Sequence, residues 1–149
     1  MGLCVEKFWR ERTGVAYEFD FERTRRILRC RFRGEVNEAE FLKYYVELAR
    51  HSRELTPAAG VADFSNAQPV RISRNFLQRV ANDEPALQGM KAIRITIAPT
   101  PAVFGLARMF EIMGEHTRPN FHVVRTESEA WAILGVWDLK FEKMPEKSG

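Results

Sequence analysis

The 149-residue sequence predicts an α/β fold: a mixed, mostly parallel sheet opened by an antiparallel hairpin, with about four helices packed on it. Three observations predict it. Two neighbouring runs near the start alternate apolar and charged residues at the period of a strand. After them, helical periodicities alternate with short β-branched runs. The breaks between these segments are short and carry helix caps or turn residues, as in compact domains.

In the first strand, YEFDFE, Tyr17, Phe19 and Phe21 face one way while Glu18, Asp20 and Glu22 face the other. A polar turn at residues 23–25 leads to ILRCRFRG, which repeats the pattern with Leu28, Cys30 and Phe32 inward and Arg29, Arg31 and Arg33 outward. The two runs make a hairpin. Asn37 with Glu40 has capping-box spacing, and Phe41, Leu42, Tyr45, Leu48 and Ala49 recur on one helical face to about Arg53. Thr56, Pro57 and Gly60 break that helix, and VADF reads as a short buried strand ending at Ser65 and Asn66. Ser73 caps a helix with Phe76, Leu77, Val80 and Ala81 inward, stopped over residues 82–85. KAIRITIAP is a strand, and Pro101 suits the first turn of the helix that follows, which ends at Gly114. FHVVRT is the next strand, and Thr126 with Glu129 opens a last short helix to Gly135. The order β-β-α-β-α-β-α-β-α calls for parallel strands joined by right-handed crossovers.

The chain is expected to hold one domain at residues 15–137, preceded by an extension at 1–14 and followed by a polar, mobile tail at 138–149. Val5, Phe8 and Trp9 in the extension have the spacing of a short amphipathic helix. Hydrophobic residues at 45% and charged residues at 29% describe a chain that folds rather than a disordered one. The start MGLCVEKFWR has Glu6 where N-myristoylation needs Ser or Thr, and it offers no secretory segment. No run approaches the length of a transmembrane helix. Two cysteines are too few for a disulfide framework, so a cytoplasmic location is expected.

YEFDFE, VADFS, the IAP strand, VFGLARMFE and TESEAWAILG, in that order, resemble the SpoIIAA-like family, relatives of the STAS domain. The resemblance covers residues 15 to 136. It implies a mixed sheet with helices packed on it and a non-catalytic role in binding partners or, in some relatives, lipids. Regulators of this kind that antagonise anti-sigma factors carry a DSSG-like stretch opening the helix after this strand. The present chain reads VRISRNFL, so Ser73 falls near the regulated serine while the acidic residue, the second serine and the glycine are missing. A phosphate on Ser73 would meet a helix N-terminus with Arg71 and Arg74 nearby; an N-cap role alone also accounts for the residue.

Residue types argue against catalysis. His51, His116 and His122 are scattered and read as helix-end or isolated histidines, so no metal or other cofactor is expected. There is no GxSxG elbow and no P-loop, and Asp63 beside Ser65 reads as a loop tie rather than an acid–base pair. The net charge of +3 is a weak argument for an anionic partner. The arginine stripe of the second strand faces three carboxylates across the hairpin and its aromatics point inward, so it reads as a salt-laced solvent face and not as a nucleic-acid interface.

One element stands apart. On a wheel, Arg108, Glu111 and Glu115 share a narrow sector of the 101–114 helix, and apolar side chains spread around most of the rest. Packing on a sheet needs a stripe only about 100° wide, so one flank requires a cover. A neighbouring helix, a second chain and an apolar ligand each satisfy this. Gly105 costs about 1 kcal/mol relative to Ala inside a helix and opens a notch beside Met109 and Ile112. Phe104, Gly105, Arg108, Met109 and Ile112 are therefore the candidate contact residues. Ser65, Asn66 and Thr100, at the carboxyl ends of parallel strands, are the candidate pocket rim. The leading reading is a regulatory, protein-binding domain, homodimeric or joined to a regulatory protein. Its rival is a carrier or sensor holding a lipid or other apolar small molecule between that helix and the sheet.

Overall fold

A computed structural model describes residues 16–89 and 91–145. Strand β1 (Tyr17–Glu22) pairs antiparallel with β2 (Ile27–Asn37), with Tyr17 opposite Phe32 and Glu22 opposite Ile27. Helix α1 (Glu38–Leu55) returns the chain to β3 (Ala59–Arg71), α2 (Arg74–Asn82) to β4 (Ile93–Ile97), and α3 (Pro101–Met113) to β5 (Phe121–Val124). Helix α4 (Glu127–Leu134) and a two-residue strand β6 (Glu142–Lys143) complete the described chain. The sheet order is β5-β4-β3-β2-β1-β6, parallel from β2 to β5 and antiparallel at β1 and β6.

The three crossovers from β2 to β5 all step the same way, so their right-handedness puts α1, α2 and α3 on one face. That face holds the aromatic core: Phe32 stacks on Phe64 at 4.3 Å and meets the Tyr44 ring edge-on at 4.8 Å. On the other face Ile27, Val61, Ile95, Ile97 and Val124 pack under Ala130 and Trp131 of α4. Local chemistry sets the helix starts. Asn37 Oδ1 accepts the Glu40 N–H at 2.8 Å, Ser73 Oγ the Phe76 N–H at 3.1 Å, and Thr126 Oγ1 the Glu129 N–H at 3.1 Å. Gly135 closes α4 with φ 64°, a left-handed conformation that glycine takes without steric cost.

Four expectations change. Strand β3 does not end at Ser65 and Asn66 but runs to Arg71, because the long strand β2 pairs with it as far as Asn37 opposite Arg71. Packed structure also continues past residue 137. Met144 N–H reaches Phe19 O at 2.9 Å, and Phe141 lies over the Arg29 guanidinium at 3.8 Å. As a result the outward face of the hairpin is salt-laced but only partly solvated: Asp20 is 3% exposed and grips Arg29 through two hydrogen bonds of 2.9 and 2.7 Å. His51 is not a helix-end cation. It is buried with its ring 4.7 Å from that of Phe19, and Nδ1 has no hydrogen-bond partner among the described residues. The segment with Val5, Phe8 and Trp9 lies outside the described residues.

Candidate functional site

Helix α3 begins where Thr100 Oγ1 accepts the Val103 N–H at 3.3 Å, with Pro101 in the first turn. Val103 and Ala107 are buried, and together with the half-buried Leu106 and Phe110 they line a cavity beneath the helix. The other flank carries all five candidate contact residues. Phe104 is half-buried under the Arg125 guanidinium at 4.2 Å, Met109 is half-buried, and Arg108 is exposed and paired with Glu111. Gly105 is exposed, and a Cβ there would meet nothing within 4 Å. Ile112 is 63% exposed. The flank thus mixes apolar and charged side chains, and its open part, among the described residues, is at Gly105 and Ile112.

The three candidate rim residues are elsewhere. Thr100 is spent as a cap, and Ser65 and Asn66 lie exposed on the extended part of β3. Asp63 Oδ1 accepts both the Ser65 N–H at 2.9 Å and its hydroxyl at 2.5 Å, a local tie with no imidazole in it. None of the three lines the cavity.

That cavity lies between the sheet and helices α1, α2 and α3, has a volume of about 120 Å³, and is walled mainly by apolar side chains such as Phe64, Leu77, Leu106 and Phe110. Two arginines, Arg94 and Arg118, are among its lining residues. Sequence reasoning missed them. The signal available was Arg94 itself, which alternates with three isoleucines in a strand that has helices on both faces.

Ser73 is exposed at the start of α2, and its backbone N–H donates to Glu38 Oε2 at 2.8 Å. This bond joins the first turn of α1 to that of α2 and holds the Glu38 carboxyl below the ordinary carboxylate range. Arg71, one of the two nearby cations, is paired with Glu35 at 2.9 Å.

Reactive groups are subdued. Cys30 is a free, buried thiol whose burial pushes its pKa well up, away from the reactive thiolate. Among the described residues no group of three His, Cys, Asp or Glu side chains could hold a metal ion. None of their helices is long and apolar enough to cross a membrane.

No family model matches the sequence, and no curated protein does. Solved structures do match the fold. The anti-sigma factor antagonist SpoIIAA in its unphosphorylated form superposes with a TM-score of 0.55 at 13% identity, covering 80% of this chain and 98% of that one. The Bacillus cell fate determinant SpoIIAA in the phosphorylated form superposes with a TM-score of 0.52 at 17% identity, covering 80% and 99%. The mixed sheet, the antiparallel β1–β2 pair and the order of helices define a SpoIIAA/STAS-like fold.

Proposed function

We propose that the chain is a non-catalytic regulatory domain that binds protein, with the outer flank of α3 as its contact surface and a second copy of the chain as the first partner to test. The observation that carries this reading is Ile112: 63% exposed, beside a glycine with open space above it and a half-buried methionine. Water-exposed isoleucine on such a flank gains about 1.5 to 3 kcal/mol when fully covered, and methionine adapts its shape to a partner. The SpoIIAA fold and the absence of a nucleophile–base pair around Asp63 and Ser65 support a binding role over catalysis. Sedimentation equilibrium tests it: the wild-type mass should rise with concentration and that of Ile112→Glu should not. A wild-type mass fixed at the monomer value overturns the self-association.

Ser73 is the modification site this reading favours. A phosphate there adds close to two negative charges beside Glu38, whose carboxylate already occupies the Ser73 N–H. Repulsion would release Glu38 and loosen the α1–α2 corner. Fragmentation mass spectrometry of the protein from its natural host should place a phosphate on Ser73; a chain unmodified under every growth condition removes this part.

The cavity favours a second reading, in which the domain carries or senses a small apolar molecule. An apolar hollow of about 120 Å³ is of the size that admits a benzene-like ligand when dry. Its walls include α3 and the sheet, with α1 and α2 completing them.

A further inference from the structure

The chain enters its sheet beside helix α1. Ala16, the first described residue, accepts the Arg33 N–H through its carbonyl oxygen at 2.7 Å, near the end of β2 from which the chain runs on into α1. One residue later the Tyr17 ring lies 6.1 Å from that of Tyr44, in the second turn of α1. Burial first, then Glu47, Cys30 and Glu40, push the Tyr17 pKa up, so two carboxylates of α1 stand around the same entry point. Residues 1–15 are tethered there.

The first half of α1 is left open on its outer side. Leu42 is 50% exposed and Val46, one turn on, 68%. Glu40 Oε2 is buried with no hydrogen-bond partner among the described residues, while Oε1 lies 3.6 Å from Lys43. A buried acceptor left unsatisfied costs about 1 to 3 kcal/mol, and more for a charged group. Over residues 38–47, Glu38, Glu40 and Glu47 stand against Lys43 alone. The tethered segment has the complementary pattern. Val5, Phe8 and Trp9 fall at i, i+3 and i+4, one face of a helix. Lys7, Arg10 and Arg12 outnumber Glu6 and Glu11.

We propose that residues 5–12 dock as an amphipathic helix on the first half of α1 of their own chain, with Val5, Phe8 and Trp9 over Leu42 and Val46 and a cation of the segment at Glu40. Residues 13–15 span up to about 10 Å when extended, which matches the 8 to 10 Å or so between the axes of packed helices. Helix α3 packs beside β5, four strands from β1 and about 19 Å away, beyond that connector. A short tether also sets a local concentration of about a millimolar, which favours the chain's own α1 over that of a second copy. The α3 flank stays open, so this docking is independent of the self-association proposed there.

A nitroxide attached to Cys4 of the full chain tests this by nuclear magnetic resonance. Cys30 is buried with its pKa pushed well up and stays unlabelled, as the intact mass will confirm. In dilute solution the amide signals of residues 39–47 should lose most of their intensity relative to the reduced, diamagnetic sample, while those of 101–113 keep theirs. Val46→Glu, at an exposed position whose own amide spectrum reports an intact fold, should restore the 39–47 signals. Phe8→Glu makes the same cut from the segment's side. Spin-labelled chains mixed with unlabelled, isotope-enriched copies report contact between molecules alone and should cause no loss. Loss at 39–47 in that mixture assigns the segment to a second copy and overturns the docking within one chain. Signals at 39–47 that keep their intensity, or a loss that neither variant relieves, overturn it as well.

Discussion

Gly105 shows how a single residue separates a demand of the fold from a demand of the surface. Among the described residues no neighbour stands where its Cβ would be, so none of them requires glycine there. Gly105→Ala should therefore raise thermal stability, by up to about 1 kcal/mol of helix propensity, and should weaken self-association if a partner seats in the notch. A drop in unfolding temperature would show that the fold itself uses the glycine. Ser73 gives the opposite case: Ser73→Ala deletes the α2 cap and should cost about 1 kcal/mol in denaturant unfolding, while Ser73→Asp keeps a cap. His51 carries a pH dependence. Burial lowers its pKa below the ordinary 6.5, so the unfolded chain takes up the proton first and stability falls as pH drops from about 6.5 to the folded value. The loss is complete below that value. His51→Leu should flatten the stability-against-pH curve in that window, as urea midpoints at stepped pH will show; an unchanged slope would contradict the buried, neutral imidazole.

Among the elements, the carboxyl-terminal segment carries more structure than its composition suggests. Lys140 N–H donates to Glu22 Oε2 at 3.0 Å and Arg25 N–H to Glu22 Oε1 at 2.8 Å, and together they hold the Glu22 carboxyl below the usual range. The stabilisation this gives is present above the ordinary carboxylate pKa and is lost as pH falls through the lowered value. Ending the chain after Trp137 would strip Phe141 from Arg29 and expose the Asp20–Arg29 pair. Hydrogen exchange at residues 18–22 and 27–31 should accelerate in that truncation, and unchanged protection would mean the segment does not cover the face. The sequence could not announce this, because WDLKFEK alternates only weakly and a two-residue strand has no periodicity. By contrast the hairpin, the caps at Asn37, Ser73 and Thr126 and the breaks were legible, since each depends on residues close to one another in the sequence. Strand β3 runs past the expected end for a related reason: its last residues, up to Arg71, mix polar side chains with Ala67, Pro69 and Val70 without strict alternation, and their pairing partner β2 lies far away in the sequence.

For the molecule as a whole, the architecture was legible and the site only in part. Alternation and right-handed crossovers fix the helices on the two faces, and the apolar surplus of α3 shows on a helical wheel. What a wheel does not tell is how that surplus divides. In the structure Leu106 and Phe110 line a cavity, and Met109 and Ile112 lie on the outer flank. Nor does local sequence reveal that Arg94 and Arg118, far apart in the chain, line the same cavity, since the hollow is a product of packing among three helices and the sheet. The central claim concerns the outer flank of α3 as a contact surface. Hydroxyl-radical footprinting of the full chain, read at Met109 and Ile112 from low to high protein concentration, tests it most directly. The account predicts that oxidation at both residues falls as concentration rises while exposed Trp137 stays reactive; equal oxidation at every concentration would contradict it.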